Sequence, residues 1–345
     1  MTSSSTPQET LSPEEAFAVL GDETRIEILQ VLGESDTTMS FTALRNAVGL
    51  HQGGQFNYHL DKLVGHFVKK SDGGYALCQP GRRVVEAVLS GAVTHDPELE
   101  PTDVDFECLL CGGSIRVSYR SERVELYCTE CSGQYGQHVE ERDSSFDTSG
   151  GYLGGYRIPP AGVDGRSPYE LLEASSIWSH LENVALANEL CPRCGAVVDT
   201  AITVCENHDR SGGLDDRSGE LHDRSGGLDD RSGGLDDRSG GLDDRSGELC
   251  STCDKRHAVQ VDRFCENCQF TRTGMAINIL ATKLELRQFV AEQGIDPIVE
   301  GFKWGWDCIE DVRSIEPFRA DFTFEIEEES ITLHTGEGLA IHAVT

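Results

Sequence analysis

Twelve side chains fall into six pairs, and each pair has the spacing of a metal knuckle: Cys108/Cys111, Cys128/Cys131, Cys191/Cys194, Cys205/His208, Cys250/Cys253 and Cys265/Cys268. A C-x2-C turn puts two thiolates on one tight loop. Two such loops complete the tetrahedral set of four donors, about 2.0–2.3 Å from the metal, that a structural zinc ion requires. Cys108, Cys111, Cys128 and Cys131 enclose sixteen residues, the spacing of a zinc ribbon. Between these pairs, Ile115–Tyr119 and Val124–Tyr127 alternate like the strands of a hairpin, and Gly112-Gly113 suits the turn after the first knuckle.

The other eight donors are enough for two more zinc ions, three in all. Sequential pairing would join Cys191, Cys194, Cys205 and His208 in one site, and Cys250, Cys253, Cys265 and Cys268 in another. Interleaved pairing would join the first pair to the third and the second to the fourth. The ten and eleven residues inside each half favour the sequential arrangement. His208 is the least secure ligand, since His257 or His222 could replace it. Cys78 and Cys308 are left over and read as small apolar residues. Four-donor sites are closed, whereas catalytic zinc keeps a water position open. H-E-x-x-H does not occur, and although H-x-E does, at His138–Glu140 and His180–Glu182, no later C-x-x-C carries the preceding proline of the deaminase signature, so the zinc ions are expected to be structural and the chain not an enzyme. A redox- or zinc-sensing use of the thiolates is the alternative.

Knuckles of this kind replace a core in segments too short to build one, so the rest of the chain must supply the elements that hold them. The 345 residues suggest two or three domains. Six lysines and 23 arginines face 60 acidic residues, for a net charge of −31. Such a charge destabilises a compact state by self-repulsion, and high salt screens it. The balance reads as that of a halophile's cytoplasmic protein, with a mesophilic acidic protein as the alternative. MTSSSTPQET lacks the basic and apolar regions of an export signal, and no apolar run is long enough for a membrane span. A reducing compartment agrees with cysteines used as metal ligands rather than disulfides.

A second constellation lies between Arg45 and Arg83, where six basic residues meet two acidic ones. That is a positive island in an acidic chain, as phosphate contacts require. Phe56, Leu60, Leu63 and Phe67 form one apolar stripe, predicting a helix over Gln52–Phe67. Gln52, Gln55, Asn57, Tyr58, His59 and Lys62 lie off the stripe. Val68–Lys70, a Ser71-Asp72-Gly73-Gly74 turn and Tyr75–Cys78 read as a hairpin. A polar-faced helix followed by a small basic hairpin is the pattern of a winged helix-turn-helix. Its helix enters the major groove and its wing touches the backbone. Gln52, Gln55, Asn57, Tyr58 and His59 would then read bases, and Arg45, Lys62, Lys69, Lys70 and Arg82 would neutralise phosphates. Upstream, Ser12-Pro13-Glu14-Glu15 is a capping box, Asp22 and Ser40 cap two further helices, and a last helix runs from Pro80 to about Ser90.

The segments GDETRIEILQVL, FTALRNAVG, QFNYHLDKLVGHFVKK and GGYALCQPGRRVVEAVL resemble ArsR-like winged helix-turn-helix regulators, above all the zinc-ribbon-bearing members typical of halophilic archaea. The resemblance covers residues 13–90. It implies a transcriptional regulator, usually a homodimer, that binds double-stranded promoter DNA. The cysteine pair of some metal-sensing members is missing, which removes the usual arsenite or cadmium site. One alternative is a basal factor like the archaeal relative of the TFIIE alpha subunit, which contacts the transcription machinery. Another is a zinc-stabilised protein-interaction adaptor.

The expected architecture is α+β. It has a disordered stretch at 1–11, the winged domain at 12–91, an acidic linker at 92–103 and the zinc ribbon at 104–142. An α+β domain with embedded zinc knuckles follows at 150–345. Six seven-residue copies of the form DRSGGLD, from Asp209 to Cys250, interrupt that domain. With one leucine per copy they cannot form a coiled-coil seam, and their composition reads as a disordered insert at 209–249. Gly150–Pro160 reads as a loop and Ser167-Pro168 opens a helix to about Glu189. One helix is expected over Met275–Gln293, a helix from Asp296-Pro297 holding Phe302, Trp304, Trp306 and Ile309, and strands at Arg319–Glu327 and Ser330–His334.

Overall fold

The computed structural model describes residues 11–136, 150–208, 249–303 and 308–345. Within them the chain is a mixed α+β structure. Its contacts divide it into two compact units, residues 1–96 with 159–161, and residues 97–158 with 162–345. The expected disorder at 1–11 and in the repeat, the ribbon's end at 137–142, and Trp304 and Trp306 fall almost wholly outside the described residues.

The first unit runs α1 (Pro13–Leu20), α2 (Glu23–Gly33), α3 (Phe41–Ala47), α4 (Gly53–Leu63), β1 (Val68–Ser71), β2 (Gly74–Leu77) and α5 (Gln79–Leu89). Each of the first three helices starts where a side chain satisfies an orphan N–H. Ser12 and Glu15 close a reciprocal capping box, the Asp22 carboxylate accepts from the Arg25 N–H at 3.2 Å, and Ser40 Oγ accepts from the Ala43 N–H at 3.2 Å. Ile28, Leu29, Leu44, Phe56, Leu60 and Leu63 are fully buried in one core, each contributing about 1.5–3 kcal/mol of hydrophobic free energy.

Two boundaries differ from the sequence pattern. α4 stops at Leu63 rather than Phe67, because Val64 is extended and Gly65 takes a positive φ of 94°. Phe67 still reaches the core, from the approach to the hairpin rather than from the helix. Ser71 pairs with Gly74, so the hairpin loop is the two residues Asp72-Gly73, a favoured short connection. Gly74 is required there, since its φ is +124° and a Cβ would collide with the Met39 carbonyl.

The second unit holds three antiparallel sheets. β3 (Leu99–Glu107), β4 (Ser114–Arg120), β5 (Arg123–Cys128) and β6 (Gly151–Arg157) form the first, in that order. α6 (Pro168–Leu186) packs on this sheet. It contributes Leu171 and Leu172 to a core with Ile115, Val117, Tyr119 and Phe302, and Ser179 Oγ accepts from the Arg157 N–H at 2.7 Å. β7 (Asp199–Val204), β8 (Val259–Phe264) and β9 (Thr271–Met275) form the second sheet. After α7 (Ile277–Leu280) and α8 (Leu284–Glu292), β10 (Cys308–Ser314), β11 (Arg319–Ile326), β12 (Glu329–Thr335) and β13 (Ile341–Val344) form the third.

Several expectations give way here. β3 begins at Leu99, inside the span read as a linker: Leu99 pairs with Tyr119 of β4 and Thr102 with Val117, with a register shift between them. The Gly150–Pro160 loop is the edge strand β6. The single helix over Met275–Gln293 is broken at Ala281–Lys283, and Met275 itself ends β9. No helix starts at Asp296-Pro297: there are turns and one 3-10 turn at Gly301–Lys303, and Ile309 lies in β10. The strands expected at Arg319–Glu327 and Ser330–His334 are β11 and β12. No helix among the described residues is long and apolar enough to cross a membrane.

Candidate metal centres

All twelve predicted donors gather into three groups of four, and within each group the ligand atoms lie within 4.8 Å of one another. Cys108, Cys111, Cys128 and Cys131 form the first, as expected. Its Sγ atoms stand 3.8 Å apart for Cys108 and Cys131 and 3.5 Å for Cys111 and Cys128. Tetrahedral bonds of about 2.3 Å put the donors about 3.8 Å from one another, far from the roughly 2.05 Å of a disulfide. The set therefore suits a metal ion. The knuckles are anchored by β4 and β5: Cys128 is the last residue of β5 and pairs with Ile115.

The other two groups overturn the expected pairing. Cys191 and Cys194 meet Cys265 and Cys268, while Cys205 and His208 meet Cys250 and Cys253. The arrangement is neither sequential nor interleaved but nested. Its cause is the register of β7 on β8. Asp199 pairs with Phe264 and Val204 with Val259. The knuckle before β7 is thereby carried beside the knuckle after β8, at one end of the hairpin. The knuckle after β7 meets the one before β8 at the other end. Cys191 and Cys268 are 3.5 Å apart, and Cys194 and Cys265 3.6 Å.

Four knuckles share one backbone device. The N–H of the first cysteine donates five residues on, as from Cys108 to the Gly113 carbonyl at 2.8 Å, Cys191 to Ala196 at 2.8 Å, Cys250 to Lys255 at 3.1 Å and Cys265 to Phe270 at 2.9 Å. The residue after the second cysteine then needs a positive φ, and it is Gly112, Gly195, Asp254 and Gln269 in turn. Glycine takes this conformation without strain, so C-x2-C-G was a readable signal at two of the four.

His208 holds its place through its second ring nitrogen. Nε2 lies 3.1 Å from the Arg256 carbonyl, which can only accept, so Nε2 carries the proton. Nδ1 is then left as the donor atom, 3.5 Å from Cys253 Sγ. Such an outer contact fixes a ligating histidine's tautomer. His257 is no competitor: it is buried against Glu310, Nδ1 to Oε1 3.4 Å. His222 lies outside the described residues. Among the described residues Cys78 and Cys308 join no cluster, and burial raises both thiols, in keeping with packing roles.

Burial pushes the Cys111 thiol up to about 11 and the Cys253 thiol up to about 12. Cys194 goes the other way: the Ala196 N–H and the Asn267 side chain bring it down to about 6. A cation at each centre would favour all four thiolates or the neutral imidazole, with release of protons on binding.

Two family models match the chain. One, Domain of unknown function (DUF7347), covers residues 13–88, and the other, Domain of unknown function (DUF7351), covers residues 105–223. No curated protein and no solved structure matches. The first match spans α1 to α5. The second takes in the whole first metal site but only Cys191, Cys194, Cys205 and His208 of the other two.

On the first unit, Gln52, Gln55, Asn57, Tyr58, Lys62, Lys69, Lys70 and Arg82 are exposed, as expected, and Arg45 is half-buried. Asn57 is engaged with Asp61 at 2.7 Å, and Lys62 lies over the Tyr58 ring. His59 does not face outward. It is 8% exposed and sits with Nδ1 3.2 Å from the Asp22 carboxylate, outside hydrogen-bonding geometry. Its place one turn from Phe56 and next to Leu60 puts it at the edge of the apolar stripe, which the helical spacing should have indicated.

Proposed function

We propose that the chain is a DNA-binding transcriptional regulator whose first unit acts as a winged helix-turn-helix of the ArsR-like kind, followed by three structural zinc sites. The observation that carries the reading is the surface of the first unit. Gln52, Gln55, Asn57 and Tyr58 are exposed on or beside α4, and Lys69 and Lys70 are exposed on β1. Amide and hydroxyl side chains on a helix can read base edges. Lysines on an adjoining hairpin neutralise phosphates and release counterions. In a chain of net charge −31, a basic cluster on one small unit works against the global repulsion and has a use only toward an anionic partner. His59 is withdrawn from the base-reading set.

Zinc is the metal that tetrahedral cysteine and histidine sets select. With four protein donors the sites leave no position for a substrate, so the zinc ions stabilise the fold rather than catalyse. A homodimer on a promoter, in the cytoplasm, completes the reading. The test is a chromatin-binding map of the tagged protein combined with binding of the mapped site in vitro over a range of salt. Sequence-selective binding that weakens steeply with salt supports the regulator. The ribbon after the first unit also favours a second reading, a basal transcription factor. Co-purification of polymerase with no preferred DNA site would select that one.

A further inference from the structure

The second unit encloses a cavity of about 590 Å³, within the range of sites that take small organic ligands. It lies between the first sheet and the second, with β5 and β6 on one side and β8, β9 and the start of α7 on the other. The side chains that line it invert the character of the chain. Among the described residues they include four cations, Arg123, Arg157, Lys255 and Arg272, and no aspartate or glutamate. The chain has only 29 lysines and arginines in total, so four on one cavity wall is a concentration with a direction.

The buried carboxylates nearby, Glu125 and Glu182, offset only part of this charge. Glu182 is occupied by Arg272 and also by Arg193. Glu125 lies 3.7 Å from Arg123 and accepts the Tyr127 hydroxyl at 3.0 Å. Arg157 forms no salt bridge among the described residues, and Arg123 Nε has no hydrogen-bond partner there. Burial first, and then the fields of Arg123 and Arg272, lower the Arg157 guanidinium from its ordinary value. Arg123 is held up, against burial, by Tyr152 and Glu125, so it is Arg157 that the neighbouring cations press upon, and an anion placed among them would relieve it.

The remaining wall combines aromatic rings and bare glycines with the polar Gln260, Thr271, Thr273 and Asn278. Tyr135 and Tyr152 stand 5.6 Å apart, ring to ring, in a tilted pair, and Tyr152 accepts from Arg123 Nη2 at 3.0 Å. Gly154 and Gly155 form the floor. At Gly154 the φ of 115° disfavours any side chain, and at Gly155 a Cβ would stand 2.6 Å from the Val124 carbonyl. The floor is therefore bare backbone, with the Tyr135 ring edge 3.6 Å from where a Gly154 Cβ would stand.

We infer that this cavity binds a small organic oxyanion, with its carboxylate or phosphate head among Arg123, Arg157 and Arg272 and a planar apolar body against Tyr135 and Tyr152. Guanidinium forks match both heads bidentately, and ring faces take the body. The inference concerns the second unit alone and stands whether or not the first unit binds DNA.

The test is calorimetric titration of the full-length, metal-loaded protein, without DNA, with 1-naphthoate, 1-naphthyl phosphate and the neutral 1-naphthamide. One or both anions are expected to bind at least about tenfold more tightly than the amide, and the tighter one identifies the head group. Arg157→Gln should weaken the anions by about tenfold or more and leave the amide unchanged. Arg82→Gln, in the first unit, should change neither. If Arg157→Gln loses metal or melts early, Arg157→Lys takes its place: it keeps the charge, lacks the fork, and should fall between. No binding of any probe up to about 1 mM, anions no tighter than the amide, or a folded Arg157 variant that binds them like wild type would each overturn the inference.

Discussion

What each histidine does follows from the group at its other nitrogen. His208 donates through Nε2 to a carbonyl and turns Nδ1 toward three thiols. His257 faces Glu310 in the core. His208→Ala is therefore expected to lower the metal content from three ions per chain to two, and His257→Ala to leave three, by elemental analysis of the purified proteins. Retention of three ions by His208→Ala would return the fourth ligand to another residue. His59 separates stability from recognition in the same way. Because it is buried beside Asp22, His59→Ala should destabilise the first unit by about 1–3 kcal/mol without altering the salt slope of DNA binding. Lys69→Ala with Lys70→Ala should do the reverse. Stability should stay within about 0.5 kcal/mol, while the slope of log K against log salt flattens by about two units. An unchanged slope would remove the hairpin from the DNA contacts.

At the scale of elements, the antiparallel register of β7 on β8 decides which knuckles share a metal, and a double substitution reads it out. In the nested arrangement Cys205 and Cys250 serve one ion, so Cys205→Ser with Cys250→Ser should leave two metals per chain. Sequential or interleaved pairing puts the two cysteines in different sites, and the same protein would then keep one. Donor identity could be read from residue types and spacing, because a C-x2-C pair is local. Partnership could not, because it depends on two strands separated by the repeat. DTAITV and VQVDRF alternate weakly, and neither stands out without the other. The first unit shows the same division. Its capping residues and apolar stripe act within one turn of helix and gave the helices in order. The end of α4 depends on Gly65 and the pull of the hairpin on Phe67. β6 escaped because GYLGGYR carries three glycines, whose composition favours loops while the exposed hydrogen-bonding edge of β5 favours a strand.

For the molecule as a whole, the nested pairing changes what the heptapeptide repeat can affect. Forty-one residues lie between His208 and Cys250, and both are ligands in the same four-donor group. The insert is thus the loop that one metal site must close, whereas sequential sites would have flanked it and ignored its length. Closing a flexible loop costs free energy that rises with the logarithm of its length, about 0.6 kcal/mol per doubling. Removing residues 209–236, four copies, leaves thirteen residues and spares the copy that ends in Cys250. That is a little under two halvings, so the Cys205, His208, Cys250 and Cys253 site should gain about 1 kcal/mol, read as a roughly fivefold tighter metal affinity. The site of Cys191, Cys194, Cys265 and Cys268 should gain much less, because β7 and β8 stand between its knuckles and the insert. The site of Cys108, Cys111, Cys128 and Cys131 should not change at all. Competition with a chelator, followed site by site in the cobalt-substituted protein with the other sites removed by serine substitution, resolves the three. A weaker Cys205, His208, Cys250 and Cys253 site after the deletion, or an equal shift at all three sites, would mean that the repeat contributes contacts of its own rather than length.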